Sequence, residues 1–239
     1  MARLPNPMNY ASSWETAGTG NPAVRRFLNS VYAWMGVGLA VTAVVSVLVS
    51  QSPSLVLKVY HSWLLLLIVE IALVMVISRA VNKLSTAAAT GLFVLYAAVN
   101  GLVLGVIFLV YAKAAIASAF IVTAGAFGAM SLYGFFTQRD LTMIGRVLIM
   151  ALFGIIIASV VSFFWHSSAL QVIINYAGVL VFAGLTAYDT QKLRIIGEQT
   201  QDNPALASRL SIVGSLVLYL DFINLFLFIL ELMNENRRS

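Results

Sequence analysis

Asp221 sits inside an apolar run, Leu210 to Leu230, that carries no other charge, eleven residues from its start and nine from its end. Asp189 ends the sixth span in the segment TAYDTQKLR, about one turn deeper than Lys192 and Arg194, and Glu70 lies in WLLLLIVEIALVMVI, again among apolar neighbours. An ionised side chain near the centre of a bilayer costs about 2.5–3.5 kcal/mol on insertion scales, so a retained acid is a functional candidate by default. Asp221 is too deep to snorkel and must face protein or water. Asn224 follows it by three residues on the same helical face and offers a neutral oxygen ligand or hydrogen-bond partner. If Asp189 and Asp221 meet, two carboxylates in a poorly solvated place cannot both be ionised cheaply. They would then exchange protons in coupled steps. A cation from the cytoplasmic end of the second span, Arg79 or Lys83, is a second possible partner for Asp189, and it would favour the charged form. An ordinary i, i+3 pair of Asp189 with Lys192 is the structural alternative.

The elements that must hold these residues follow from composition. The chain has 239 residues, 61% hydrophobic and 10% charged, against about 25% charged in an average soluble domain. A soluble globular fold is excluded. No cysteine is present, which removes disulfide scaffolds, thiolate metal sites and cysteine nucleophiles. Nearly uncharged runs span Leu28 to Val49, Ser62 to Ile77, Ser85 to Tyr111, Ala114 to Gln138, Val147 to Trp165 and Ser167 to Tyr188. With Leu210 to Leu230 these predict seven membrane-spanning helices in an all-α integral membrane protein. Residues 1–27 hold three of the five prolines and no apolar run, so they read as a polar tail rather than a signal peptide. Residues 28–232 form the membrane domain and 233–239 a short C-terminal tail.

Ten of the fourteen Lys and Arg residues fall on one side if the N-terminus is cytoplasmic, which sets that expected orientation. The longest loop, about 20 residues between Asp189 and Arg209 with part of it expected to extend a helix, is too short for a soluble domain. Function must therefore reside in the bundle. Asn175, fourteen residues before Asp189, returns to nearly the same helical face and suggests a polar stripe. Gly101 and Gly105 make a GxxxG on the third span, read as close internal packing before dimerisation. Tyr60, Trp63, Tyr111 and Trp165 read as interfacial aromatics, and His61 and His166 as single surface residues.

TAYDTQKL and LYLDFINLFLFIL, with VYAWMGVGL from Val31 and SLYGFFTQRDL from Ser131, resemble the signatures of the Bax inhibitor-1 family over roughly residues 25 to 235. The bacterial inner-membrane members are the most similar. The resemblance implies six helices around a central seventh, and a calcium leak pathway governed by protonation of a di-aspartyl pair, carried over as Asp189 and Asp221. It also implies an acid in the second helix, matched by Glu70, and a basic latch at that helix's cytoplasmic end, for which Arg79 and Lys83 both qualify. Animal members are linked to suppression of cell death.

The expected activity is thus a pH-sensitive cation leak channel, with calcium as the expected ion, because hard cations prefer clustered carboxylate and amide oxygens. Asp189 and Asp221 are the expected ion ligands. No resident cofactor is expected, and the expected partners are the lipid bilayer, calcium or another cation, and other membrane proteins, not nucleic acid. A proton-coupled transporter is the alternative, although neither a repeated half nor a broken midplane helix is evident. A regulator that binds membrane proteins without conducting is the other alternative. An intramembrane aspartyl protease is disfavoured because Leu218 and Leu220 stand where substrate backbone would need glycines. No catalytic motif appears, so the protein is not expected to be an enzyme.

Overall fold

The computed structural model describes residues 21–80, 84–165 and 167–235, and among them every regular element is a helix. Helices start where the sequence supplies a cap or a proline. Asn21 accepts a hydrogen bond from the Ala23 amide at 2.9 Å, and Pro22 occupies the first helical position of α1 (Pro22–Ser50). The helix therefore begins before the apolar run at Leu28 and takes in Arg25 and Arg26, which the sequence reading assigns to the polar tail. The rest of that tail lies outside the described residues.

Pro53 opens α2 (Pro53–His61), which meets α3 (Trp63–Ala80) at a 72° bend next to Ser62. The expected second span is only the α3 part of this broken element. Ser85 caps α4 (Thr86–Leu104), accepting from the Ala88 amide. The chain then breaks at Gly105 before the short α5 (Ile107–Val110). Four long helices follow: α6 (Lys113–Phe136), α7 (Thr142–Phe164), α8 (Ser168–Gln199) and α9 (Pro204–Glu235). The segment after Asp189 does extend a helix, since α8 runs ten residues past that residue. The connection to α9 is only residues 200–203.

Asn21 donates from its side chain to Gln201 at 2.8 Å, so the start of α1 and the α8–α9 turn share one end of the bundle. An even number of crossings must lie between those two points. α1, the bent α2–α3 pair, α4–α5, α6, α7 and α8 supply six, and α9 makes the seventh.

α9 is the central helix. It packs against α8, α1, α6 and α4, and touches α3. Its Leu218, Tyr219 and Leu225 are fully buried, whereas Met150 and Ile157 on α7 are mostly exposed. Without water, lipid-facing helices need no polar outer face, so this exposed apolar surface is what a bilayer covers. α7 is held along α8 and stands off the central helix. Helices approach closely where side chains vanish. A Cβ added at Gly101 would lie 2.8 Å from Val45 Cβ, and one at Gly105 2.6 Å from Val49 Cγ1, so the GxxxG seats α4 on α1 inside the molecule. A Cβ at Gly134 on α6 would strike the backbone carbonyl of Ala187 on α8, two residues before Asp189.

Candidate functional site

α8 is fixed at the level of Asp189 by contacts with the loop between α6 and α7. Gln191 accepts from the Leu141 amide at 2.9 Å and donates to the Arg139 carbonyl at 2.8 Å. Arg194 donates to the Phe135 carbonyl at 2.7 Å. Thr190, fully buried on the same turn, lies 3.4 Å from the Tyr32 hydroxyl of α1 and 3.5 Å from the Ser131 hydroxyl of α6. This turn is pinned on two sides, and the direction left to Asp189 is toward α9.

There it meets Asp221. The two carboxyl groups lie within hydrogen-bonding reach of each other. Asp221 is 5% exposed, and its Oδ2 is buried with no hydrogen-bond partner. Such an atom is costly, at about 1–3 kcal/mol for an unsatisfied buried group. Among the described residues the cation that acts on Asp189 is Lys192, one turn along the same helix, with its ammonium 5.9 Å from the centre of the Tyr188 ring. Both aspartates, Lys192 and Asn224 line a cavity of about 890 Å³ between α7 and the α8–α9 pair. Its remaining wall is nearly all apolar, and Trp63 closes it from α3.

The other expected site residues divide. Asn224 shares the cavity with Asp221, its amide donating to the Leu220 carbonyl at 2.8 Å. Glu70 does not join the pair. Its carboxylate accepts from the Asn100 amide at 3.1 Å, Asn100 accepts from the Tyr219 hydroxyl at 3.0 Å, and that hydroxyl lies 2.6 Å from Thr42. This buried polar chain ties α3, α4, α9 and α1 together on a separate path. Arg79 extends along its own helix, 3.7 Å from the Met75 sulfur, so the structure gives it no latch contact with Asp189. Lys83, the other latch candidate, and His166 lie outside the described residues.

Asn175 is fully buried but belongs to a different cluster. It donates to Glu235 at 3.3 Å, while Gln171 donates to Glu231 at 3.0 Å. The polar stripe on α8 thus serves two sites at opposite ends of the bundle. Glu231 and Glu235 were not singled out in the sequence, although their i, i+4 spacing matches that of Gln171 and Asn175 on α8. Among the described residues no three His, Asp or Glu side chains converge as a metal cluster. A cation at Asp189 and Asp221 would therefore complete its shell from amide, backbone or water oxygens, as Ca²⁺ with six to eight ligands commonly does.

Comparison with known proteins finds similar sequences of one type. The family model described as "Inhibitor of apoptosis-promoting Bax1" matches residues 24–238. The chain is 48% identical over 219 residues to inner membrane protein YbhL of Escherichia coli K12, covering 90% of this chain and 93% of that protein. It is 46% identical over 218 residues to an uncharacterized protein of Deinococcus radiodurans, covering 89% and 91% of the two chains. An uncharacterized protein of Borreliella burgdorferi is 41% identical over 217 residues, covering 90% and 94%.

Proposed function

Because the chain belongs to the Bax inhibitor-1 family of multi-pass membrane proteins, we propose that it is a pH-sensitive leak pathway for cations, calcium first among them, controlled at Asp189 and Asp221. One observation carries the reading. Asp221, in the middle of the central helix, keeps a buried unpartnered oxygen beside a second carboxyl group at the edge of a large cavity.

Two ionised carboxylates are acceptors only, so a hydrogen bond between them needs one proton held in common. A cation brings positive charge to the same oxygens. Proton and cation are then rivals for the pair, and pH enters the pathway through that rivalry. Lys192 offsets one negative charge at the cytoplasmic side in the expected orientation, leaving Asp221 as the group whose charge is least compensated.

The test is calcium flux in proteoliposomes over a pH series, wild type against Asp221→Asn. Wild-type flux should change with pH and the variant's should not. A variant whose flux follows pH as the wild type does would remove the pair from the mechanism, and absence of flux in both would remove conduction.

A further inference from the structure

The cavity above Asp221 opens sideways. Ile156, Val160 and Phe164 of α7 belong both to its wall and to the exposed outer surface, as does Trp63 of α3, so a molecule dissolved in the bilayer reaches it without crossing the bundle. Phe182, Tyr188 and Phe228 add aromatic surface within. A volume of about 890 Å³ is in the range of small-molecule sites.

An inorganic ion has no use for such walls, and a neutral apolar molecule leaves the carboxylate oxygen unmatched. A molecule with apolar groups around a positive charge satisfies both. Its body covers apolar and aromatic surface, and its charge faces the carboxylate of Asp221, which lines the cavity and whose buried Oδ2 has no hydrogen-bond partner. Lys192 already stands by Asp189, which leaves Asp221 as the acid that a further cation neutralises. We propose that this lateral cavity binds lipophilic organic cations from the bilayer, with the positive centre against Asp221. The inference uses the carboxylate of the leak pathway but does not depend on conduction.

The experiment is equilibrium binding of radiolabelled tetraphenylphosphonium to the purified full chain in nanodiscs of zwitterionic lipid. Binding should saturate at one site per chain and weaken roughly tenfold or more in Asp221→Asn, as removal of a buried charge partner does. Ser159→Trp, which fills the cavity from α7 and leaves both acids in place, should weaken it as well. Asp202→Asn, in the exposed α8–α9 turn, should bind like wild type. Neutral triphenylphosphine oxide should fail to compete. Unchanged affinity in a folded Asp221→Asn, unchanged affinity in Ser159→Trp, or equal competition by the neutral analogue would each overturn the proposal. If Asp221→Asn does not fold, Ser159→Trp and the neutral competitor decide the matter. Calcium flux measured on the same preparations keeps the two readings apart: binding without flux sinks the leak pathway alone, and Asp221-dependent flux without binding sinks this inference alone.

Discussion

At the scale of single residues, Asp221 combines burial with an unmatched oxygen, an arrangement a protein selected only for stability would discard. Asp221→Asn places an amide donor opposite Asp189 and removes a buried charge. We expect the variant to melt no lower than wild type in detergent, by intrinsic-fluorescence unfolding, while its flux loses pH dependence. A clear fall in its melting temperature would show that the acid supports the fold. The Glu70–Asn100–Tyr219–Thr42 chain should behave in the opposite way. Asn100→Leu strands the Glu70 carboxylate and leaves the Tyr219 hydroxyl with Thr42 alone, and should cost about 1–3 kcal/mol. Tyr219→Phe removes one hydroxyl and should cost about 0.5–1.5 kcal/mol. The double variant should fall short of the sum, because both changes break one network. Equal stability of all three would show the chain to be incidental. Asp221 was legible from the sequence because it is a lone charge in apolar surroundings, and Asp189 because it sits a turn deeper than the basic residues that mark the membrane edge. Asn100, Tyr219 and Thr42 were not, because a neutral polar side chain carries no such contrast and its partners lie up to 177 residues away.

At the scale of elements, hydropathy located the spans but misplaced their ends. It measures where the hydrocarbon stops, whereas a helix stops at a cap, a proline or a lost packing partner. Asp189 reads as the end of a span, yet Gln191 docks α8 on the α6–α7 loop, Arg194 docks it on the end of α6, and the helix continues to Gln199. The family-like segments SLYGFFTQRDL and TAYDTQKLR are thus two halves of one contact. Pro53 likewise starts a helix that hydropathy alone merges with its surroundings, and Gly105 ends one inside an unbroken apolar run. Gly134 sets the α6–α8 spacing against a backbone carbonyl that cannot rotate away. We expect Gly134→Val to force these helices apart and to destabilise the protein by about 1–3 kcal/mol or more. Its flux should be disturbed as well, since Asp189 moves with α8. Wild-type melting and flux in this variant would show that α6 does not position the acid.

At the scale of the whole molecule, the seven crossings rest on geometry as well as hydropathy. The Asn21–Gln201 hydrogen bond fixes the parity even though α2 and α3 are sharply bent. Which end faces the cytoplasm rests on the Lys and Arg distribution. Because the chain has no cysteine, single substitutions report sides cleanly. In intact cells an impermeant maleimide should label Ser54→Cys, in the first turn of α2, and spare Asp202→Cys until the membrane is opened. The reverse pattern would invert the orientation. The seven spans, apart from the bend that begins the second, and the central place of the last were readable from the sequence and the resemblance. The cavity was not, because it arises from α7 standing away from α9, and nothing in α7's uniform apolar composition marks which neighbour it lacks.

The odd parity also limits how copies of the protein can be linked genetically. The first residue of α1 and the last of α9 face opposite compartments, so a short flexible linker joining them head to tail has to pass back through the bilayer. A covalent dimer of parallel subunits therefore needs an eighth hydrophobic segment as its connector. Reporter domains fused at the two ends of one copy will never meet.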